Sequence, residues 1–110
     1  ETKRQEKFIG VLKNKLELIK ILDTQTSLEN DLYKELSEIK NEDEIRKKEH
    51  DIEISQEVIN YLKDYIVNKV TFKNEYKNGM PFLNLEGYDS GMVEEVIVQI
   101  DLIKKRMSWN

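Results

Sequence analysis

The fold is indicated most clearly by residues 89–107, which read DSGMVEEVIVQIDLIKKRM. Asp89 and Ser90 are residue types that cap helix N-termini, and an acidic start with a basic end suits the helix dipole. Apolar residues then recur at intervals of three and four, as they do on one face of a helix. They are Met92, Val93, Val96, Ile97, Ile100, Ile103 and Met107. The stretch therefore predicts an amphipathic helix with one buried face.

Two further helices are predicted at the start of the chain. The first covers about residues 3–22 and is apolar over a wide arc, so it is expected to have neighbours on more than one side. Its apolar residues are Phe8, Val11, Leu12, Leu16, Ile19 and Leu22, widened by Ile9, Leu18 and Ile21. A polar break is predicted at residues 23–27. Thr26 and Glu29 have the spacing of a capping box, which predicts a second helix that ends near Ile39.

The run Asn41-Glu42-Asp43-Glu44 interrupts this pattern. Asn41 can cap a new helix there, or one long helix can continue through the run, and a short break or kink is favoured. Downstream, isoleucines recur every seven residues, a spacing typical of coiled coils. They are Ile45, Ile52, Ile59 and Ile66. Because Ser55 and Lys69 stand among the intervening positions, an ordinary bundle helix is the favoured interpretation.

Residues 70–85 have two interpretations. Asn78-Gly79 followed by Pro81 can stop a helix, because glycine adopts the left-handed cap and proline cannot continue the helix. The same Asn-Gly pair can instead turn a β-hairpin between 70–72 and 82–85. The chain is thus predicted to be one all-α domain over residues 1–110, a three- or four-helix antiparallel bundle. An irregular loop, or a short β-hairpin, precedes its last helix.

Charge is distributed unevenly along the chain, whose net charge is −4. Residues 1–22 carry six basic and three acidic residues, and residues 26–57 carry five basic and eleven acidic ones. The favoured interpretation is that neighbouring helices attract each other and carry solvated faces. The alternative is an acidic face that docks on a basic partner. The residues proposed for that face are Glu42, Asp43, Glu44, Glu49 and Glu53.

The sequence holds no recognisable catalytic pattern. Cysteine is absent and there is one histidine, which excludes thiol catalysis and leaves a His-based zinc site to be completed by carboxylates. We therefore expect no catalytic residue, metal or cofactor. No run of about 18 apolar residues exists, so a membrane span is not predicted and a cytoplasmic protein is expected. Alanine is also absent, a composition that suggests an AT-rich genome.

The single histidine lies in the run Arg46-Lys47-Lys48-Glu49-His50-Asp51. This run resembles the phospho-accepting helix of histidine kinases, where an acidic residue follows the histidine. The resemblance implies an exposed nucleophilic nitrogen on a helical bundle. Ile54 and Ser55 depart from that pattern where a proline often follows, and the chain has no room for a nucleotide-binding domain. A surface histidine without a role is the favoured interpretation.

Two acidic clusters resemble parts of known metal-binding patterns. The run 42–44 lacks the glycine and the alternating ligand spacing of a calcium loop, so a solvated turn is favoured. The helix with Glu94, Glu95 and Asp101 resembles the metal helix of all-α nucleotide pyrophosphatases. That family pairs two such helices, and the second acidic motif is missing here. Chance similarity is therefore favoured.

One apolar loop segment is the best candidate for a partner contact. It contains Met80, Phe82, Leu83 and Leu85, and Trp109 near the C-terminal end offers a second contact. The alternative is that these side chains plug or cap the bundle. Lys47-Lys48 and the run 104–106, Lys-Lys-Arg, give some support to nucleic-acid binding, although the chain is acidic.

The function expected from these features is a small non-catalytic protein that binds another protein. Accessory, inhibitor and immunity proteins of a low-GC bacterium, phage or mobile element fit this description. The partner could be a nucleic-acid-binding enzyme, and the wide apolar face of the first helix allows a homodimer. The alternatives are a nucleic-acid-binding regulator, and a metal-dependent nucleotide hydrolase or a phosphotransfer domain that uses His50.

Overall fold

The computed structural model describes residues 3–69, 73–77, 79–84 and 91–108. The prediction of an all-α fold is confirmed for the body of the molecule, and the described residues contain three helices and no fourth one. The elements in chain order are α1 (Lys3–Glu38), α2 (Glu42–Lys69), β1 (Lys73–Lys77), β2 (Met80–Asn84) and α3 (Met92–Met107). Among these helices, none is long and apolar enough to cross a membrane.

The predicted break at residues 23–27 is wrong, because α1 continues through it as one helix of 36 residues. The proposed cap residue Thr26 donates its hydroxyl to the carbonyl oxygen of Leu22 at 2.9 Å. Thr24 bonds in the same way to Lys20 at 3.0 Å. Such bonds to the preceding turn satisfy hydroxyl groups inside a helix. The polar residues are therefore an exposed part of α1 and not its end.

A seam of heptad-spaced side chains joins α1 to α2. The sevenfold isoleucines of α2 are accompanied by Val11, Leu18, Gln25 and Leu32 of α1 and by Ile39 just beyond it, which also recur every seven residues. All nine residues are buried or half-buried. Across the seam, Lys48 Nζ lies 3.0 Å from Glu35 Oε2, and Gln56 Nε2 donates to the Tyr33 hydroxyl at 2.9 Å. The two helices therefore run antiparallel with coiled-coil-like packing.

The predicted break near residue 41 is confirmed, and one long helix through it is excluded. The Oδ1 atom of Asn41 accepts hydrogen bonds from the backbone N–H groups of Asp43 at 2.9 Å and Glu44 at 3.2 Å. These bonds satisfy two of the donors that a helix start leaves without an intrahelical partner. Glu42, Asp43 and Glu44 form the first turn of α2, where negative charge is stabilised by the helix dipole.

The helix α3 packs on part of this α1–α2 hairpin and completes the core. Leu18, Val58, Leu62 and Val96 are fully buried. The main cluster consists of Val11, Leu18, Val58, Leu62, Tyr65, Met92, Val96, Ile100 and Ile103. Burial and then the Glu95 carboxylate of α3 raise the pKa of Tyr61 in α2 above its ordinary value. The core is thus formed by residues from one end of the α1–α2 hairpin and from the whole length of α3.

The segment between α2 and α3 contains two paired strands. Strands β1 and β2 are antiparallel, with Lys73 opposite Asn84 and Lys77 opposite Met80. Gly79, at the turn, has φ 78°, a left-handed conformation that side chains with a Cβ rarely adopt. The predicted caps of α3 need correction: Gly91 occupies the N-cap position and makes no side-chain cap bond. Asp89 and Ser90 themselves lie outside the described residues.

The cap at α2 gives the first prediction. Because Asn41→Ala removes the acceptor for two backbone N–H groups, it should lower the free energy of unfolding by about 1 kcal/mol. Urea denaturation followed by circular dichroism measures this change. Asn30→Ala is the matched control, since Asn30 is exposed inside α1. Equal losses in both variants would contradict the assignment of Asn41 as the cap.

Candidate functional site

The end of α3 leaves part of the α1–α2 hairpin without a third helix. The last helical residue of α3 is Met107, whose carbonyl oxygen contacts Nε2 of His50 in α2. Beyond this level, α1 continues to Glu38 and α2 reaches back to Glu42. None of the main core cluster comes from that part of the hairpin. Among the described residues, no third helix therefore covers this end of the hairpin, whereas α3 covers the other end.

A groove lies beside the last turn of α3, next to this uncovered part of the hairpin. It encloses about 360 Å³ and is bounded by α1, α2 and the last turn of α3. Its apolar lining includes Leu28, which is 47% exposed, and the half-buried Leu32 and Ile54. The polar and charged lining consists of Gln25, Asp31, Glu35, Asp51, Ser55 and Lys104. The groove thus has apolar side chains between charged rims, which is the composition of many ligand and peptide sites.

The rims of the groove carry unneutralised negative charge. Glu35 is paired with Lys48 at 3.0 Å. Among the described residues, no ion pair involves Asp31 of α1 or Asp51 of α2. Lys104 supplies a positive charge where the groove meets α3. The middle of the groove is therefore acidic on both sides, and a cationic group placed between the two aspartates would be attracted.

Two polar residues interrupt the apolar seam at the groove. Gln25 stands at one of the heptad positions of α1, and Ser55 lies among the heptad isoleucines of α2. Ser55 is 8% exposed, and its Oγ is buried without a hydrogen-bond partner among the described residues. A buried hydroxyl without a partner costs stability. The seam is thus less stable here than an all-apolar seam would be, at the place where the groove opens.

A second concavity extends the groove toward the end of the hairpin. It is lined by Ile39, Glu44, Lys47, Lys48 and Asp51. Asp51 lines both concavities, so they are neighbours on one side of the hairpin. Together they form a track that starts at the end of α3 and follows the hairpin to the α1–α2 connection. We call this surface, from Gln25 and Lys104 to Ile39 and Lys47, the hairpin groove.

The acidic residues proposed from the sequence are all exposed, but they do not form one face. Glu42, Glu49 and Glu53 lie on the same side of α2, because they are separated by seven and four residues. Asp43 is turned away and pairs with Arg46 at 3.4 Å. Glu44 lies on the side of the second concavity. Glu42, Glu49 and Glu53 therefore lie together on the outer side of α2, away from the hairpin groove.

The proposed apolar contact segment is only partly described. Met80, Phe82 and Leu83 belong to β2, whose backbone pairs with β1. Leu85 and Trp109 lie outside the described residues. The prediction that these five residues contact a partner therefore stays a prediction.

His50 is not the surface histidine that the sequence suggested. Its side chain is half-buried, with Nε2 against the Met107 carbonyl oxygen and Nδ1 3.7 Å from Glu53 Oε2. The ring therefore links α2 to the C-terminal turn of α3, where backbone carbonyl groups have no helical partner. His50 therefore lies in a contact between helices, and the prediction that it has no functional role stays a prediction.

The residues considered for metal and phosphate binding are spread out. Among residues 3–69, 73–77, 79–84 and 91–108, no three His, Asp or Glu side chains are grouped in a way that could hold a metal ion. Lys104, Lys105 and Arg106 are exposed in the last turn of α3. Since neighbouring residues on a helix are about 100° apart, these cations point around the axis and do not form the continuous face that phosphate contacts require.

Sequence reasoning missed the hairpin groove, although two signals pointed to it. The first is the polar pair Gln25 and Ser55 within otherwise apolar repeats. The second is length, because α3 has 16 residues against 36 in α1 and 28 in α2. A shorter third helix must leave part of a longer hairpin uncovered. The wrong break at residues 23–27 concealed this difference.

The buried hydroxyl of Ser55 yields a second prediction. Ser55→Ala should raise the free energy of unfolding by about 1 kcal/mol, because it removes a buried polar group that lacks a partner. Urea denaturation measures the change. Ser37→Ala is the control, since the Ser37 hydroxyl is exposed and bonds to the Lys34 carbonyl oxygen at 2.6 Å. A loss of stability in Ser55→Ala would show that its hydroxyl is satisfied.

Comparison with known proteins adds no identification to this geometry. No protein-family model, no curated protein and no solved structure matches the chain.

Proposed function

We propose that the protein is a non-catalytic binding protein that holds an amphipathic helical segment of another protein in the hairpin groove. One observation carries the proposal: beside the last turn of α3, the two helices of the α1–α2 hairpin form a groove lined by Leu28, Leu32 and Ile54. A partner helix placed there would pack on both helices of the hairpin, next to the last turn of α3. Binding of a helix in an apolar groove is a common mode of peptide recognition.

The dimensions of the hairpin groove support a helical partner. From Gln25 to Glu38, α1 offers about 20 Å of groove wall at 1.5 Å per residue. A partner helix of about 13 residues, or between three and four turns, has the same length. Such a helix would present three or four apolar side chains along one stripe. This number suits a groove whose apolar lining comes from Leu28, Leu32 and Ile54.

The charge of the groove supports a basic partner. Asp31 and Asp51 stand on opposite rims, and neither has an ion-pair partner among the described residues. A lysine or arginine beside the apolar stripe of the partner would lie between the two aspartates. Rim charges of this kind mainly accelerate association and fix orientation, while the apolar contacts supply affinity.

A basic amphipathic helix is a feature that nucleic-acid-binding enzymes can offer, so such an enzyme fits as the partner. Accessory, inhibitor and immunity roles are all consistent with a small protein that covers a basic segment. A nucleic-acid-binding role and a metal-dependent hydrolase remain alternative hypotheses. No observation in the described residues favours either of them over protein binding.

The third prediction tests the groove with a defined probe. A helical peptide of about 14 residues, with leucines on one stripe and lysines elsewhere, should bind and shift the methyl NMR signals of Leu32 and Ile54. The same peptide with glutamates in place of lysines should bind more weakly. Leu28→Gln should reduce affinity for the lysine peptide about tenfold, a loss of about 1.4 kcal/mol.

Leu16→Gln is the matched control, since Leu16 is another exposed leucine of α1 and lies outside the groove. It should leave the affinity of the lysine peptide unchanged. Methyl shifts confined to other parts of the chain, or equal binding of both peptides, would contradict the proposal.

A further inference from the structure

A second apolar stripe runs along the first half of α1. Leu16 is 60% exposed, Ile9 51% and Leu12 37%, and the half-buried Phe8 and Ile19 flank them. We call these five residues the outer stripe. Their spacings of three, four and seven place them on one side of the helix. Most are turned about 100° or more away from Val11 and Leu18, which face the core. The stripe is thus separate from the seam that binds α2.

The outer stripe is also separate from the hairpin groove. The groove begins at Gln25, whereas the stripe ends at Ile19. The groove residue Leu28 points about 120° away from Leu16 around the axis of α1, because twelve residues of helix complete three and one third turns. Occupation of one surface therefore leaves the other accessible.

The solvent-facing edge of the stripe has a symmetric charge pattern. It carries Glu6, Lys13, Glu17 and Lys20, all exposed and within about 60° of one another around the helix. In chain order the signs are minus, plus, minus, plus. When this order is reversed, every sign is inverted. An antiparallel copy therefore presents the signs in inverted order, so opposite charges of the two edges can approach each other.

The apolar residues have the same reversal symmetry. A twofold axis at the level of residue 14 brings Leu12 level with Leu16 of a second copy, and Ile9 level with Ile19. The same axis places Lys13 about two residues, or 3 Å along the axis, from both Glu17 and Lys13 of the second copy. Glu6 and Lys20 have the same offset. Two Lys13–Glu17 and two Glu6–Lys20 approaches thus stand against one Lys13–Lys13 approach. Attraction therefore predominates in the register that aligns the apolar residues.

We propose that the outer stripe is the interface of an antiparallel homodimer. In this dimer two α1 helices pack through Ile9, Leu12, Leu16 and Ile19, and the ion pairs Lys13–Glu17 and Glu6–Lys20 between copies border them on one side. The other edge carries Lys15, which is half-buried and already engaged within its own chain. Exposed apolar surface drives the association, and the charge pattern selects the antiparallel orientation.

A charge-reversal experiment gives the fourth prediction. Sedimentation equilibrium of the wild-type chain over a concentration series should show twice the chain mass of 13.1 kDa. The variant Lys13→Glu with Lys20→Glu has an edge with four negative charges, and Glu6→Lys with Glu17→Lys has four positive ones. Each variant alone should sediment as a 13.1 kDa monomer because its edge repels itself. An equimolar mixture of the two should recover the dimer.

Variants of the apolar contact complete the test. Leu16→Asn should be monomeric and keep the helical circular dichroism of the wild type, because Leu16 does not contribute to the core. Leu102→Asn on α3 is the matched control, with Leu102 50% exposed, and should remain dimeric. A wild-type chain that stays at 13.1 kDa, or a mixture of the two charge variants that stays monomeric, overturns the proposal.

The orientation can be tested separately, because the chain contains no cysteine. Leu12→Cys and Leu16→Cys are mixed and oxidised. An antiparallel dimer should form the mixed disulfide in preference to either symmetric one. A preference for the two symmetric disulfides indicates parallel helices and overturns the antiparallel interface.

Discussion

The packing of α3 on the seam between α1 and α2 is the interaction on which the rest of the structure depends. It buries Val96 fully against a cluster that includes Leu18 and Leu62. Full burial of one such side chain contributes about 1.5–3 kcal/mol, so a few of them amount to much of the stability of a small domain. Because α3 has only 16 residues, this contribution is confined to one half of a longer hairpin. The half that α3 covers therefore holds the fold together.

The sequence was sufficient to predict an element wherever local sequence rules and tertiary packing favour the same structure. Helix α3 follows from its apolar period, and the start of α2 follows from the side-chain acceptor of Asn41. The predicted break in α1 is wrong because polar residues alone do not stop a helix. Thr24 and Thr26 can satisfy their hydroxyl groups within a helix, and the segment contains neither glycine nor proline. The heptad from Val11 to Leu32 was the stronger signal, since it requires continuous helical phase.

The site was harder to predict because it depends on the relative levels of separate helices. No local sequence pattern predicts that α3 ends beside His50. The position of this end along the hairpin decides which hydrophobic residues α3 leaves uncovered. Leu16 and Leu28 look alike in the sequence, yet one lies on the outer stripe and the other in the hairpin groove. The two surfaces use different sides of α1. A homodimer and a bound partner helix are therefore compatible, with each copy free to hold its own partner.

Native-state hydrogen exchange measured by NMR tests the account most directly. If α3 sets where the structure is closed, backbone amides of residues 14–22 and 58–66 should exchange only through global unfolding. Amides of residues 30–38 and 44–48 should exchange far faster, through local opening of a hairpin end covered by no third helix. Uniform protection along α1 and α2 would contradict the account, since it would mean that the hairpin is equally stable with and without α3 beside it.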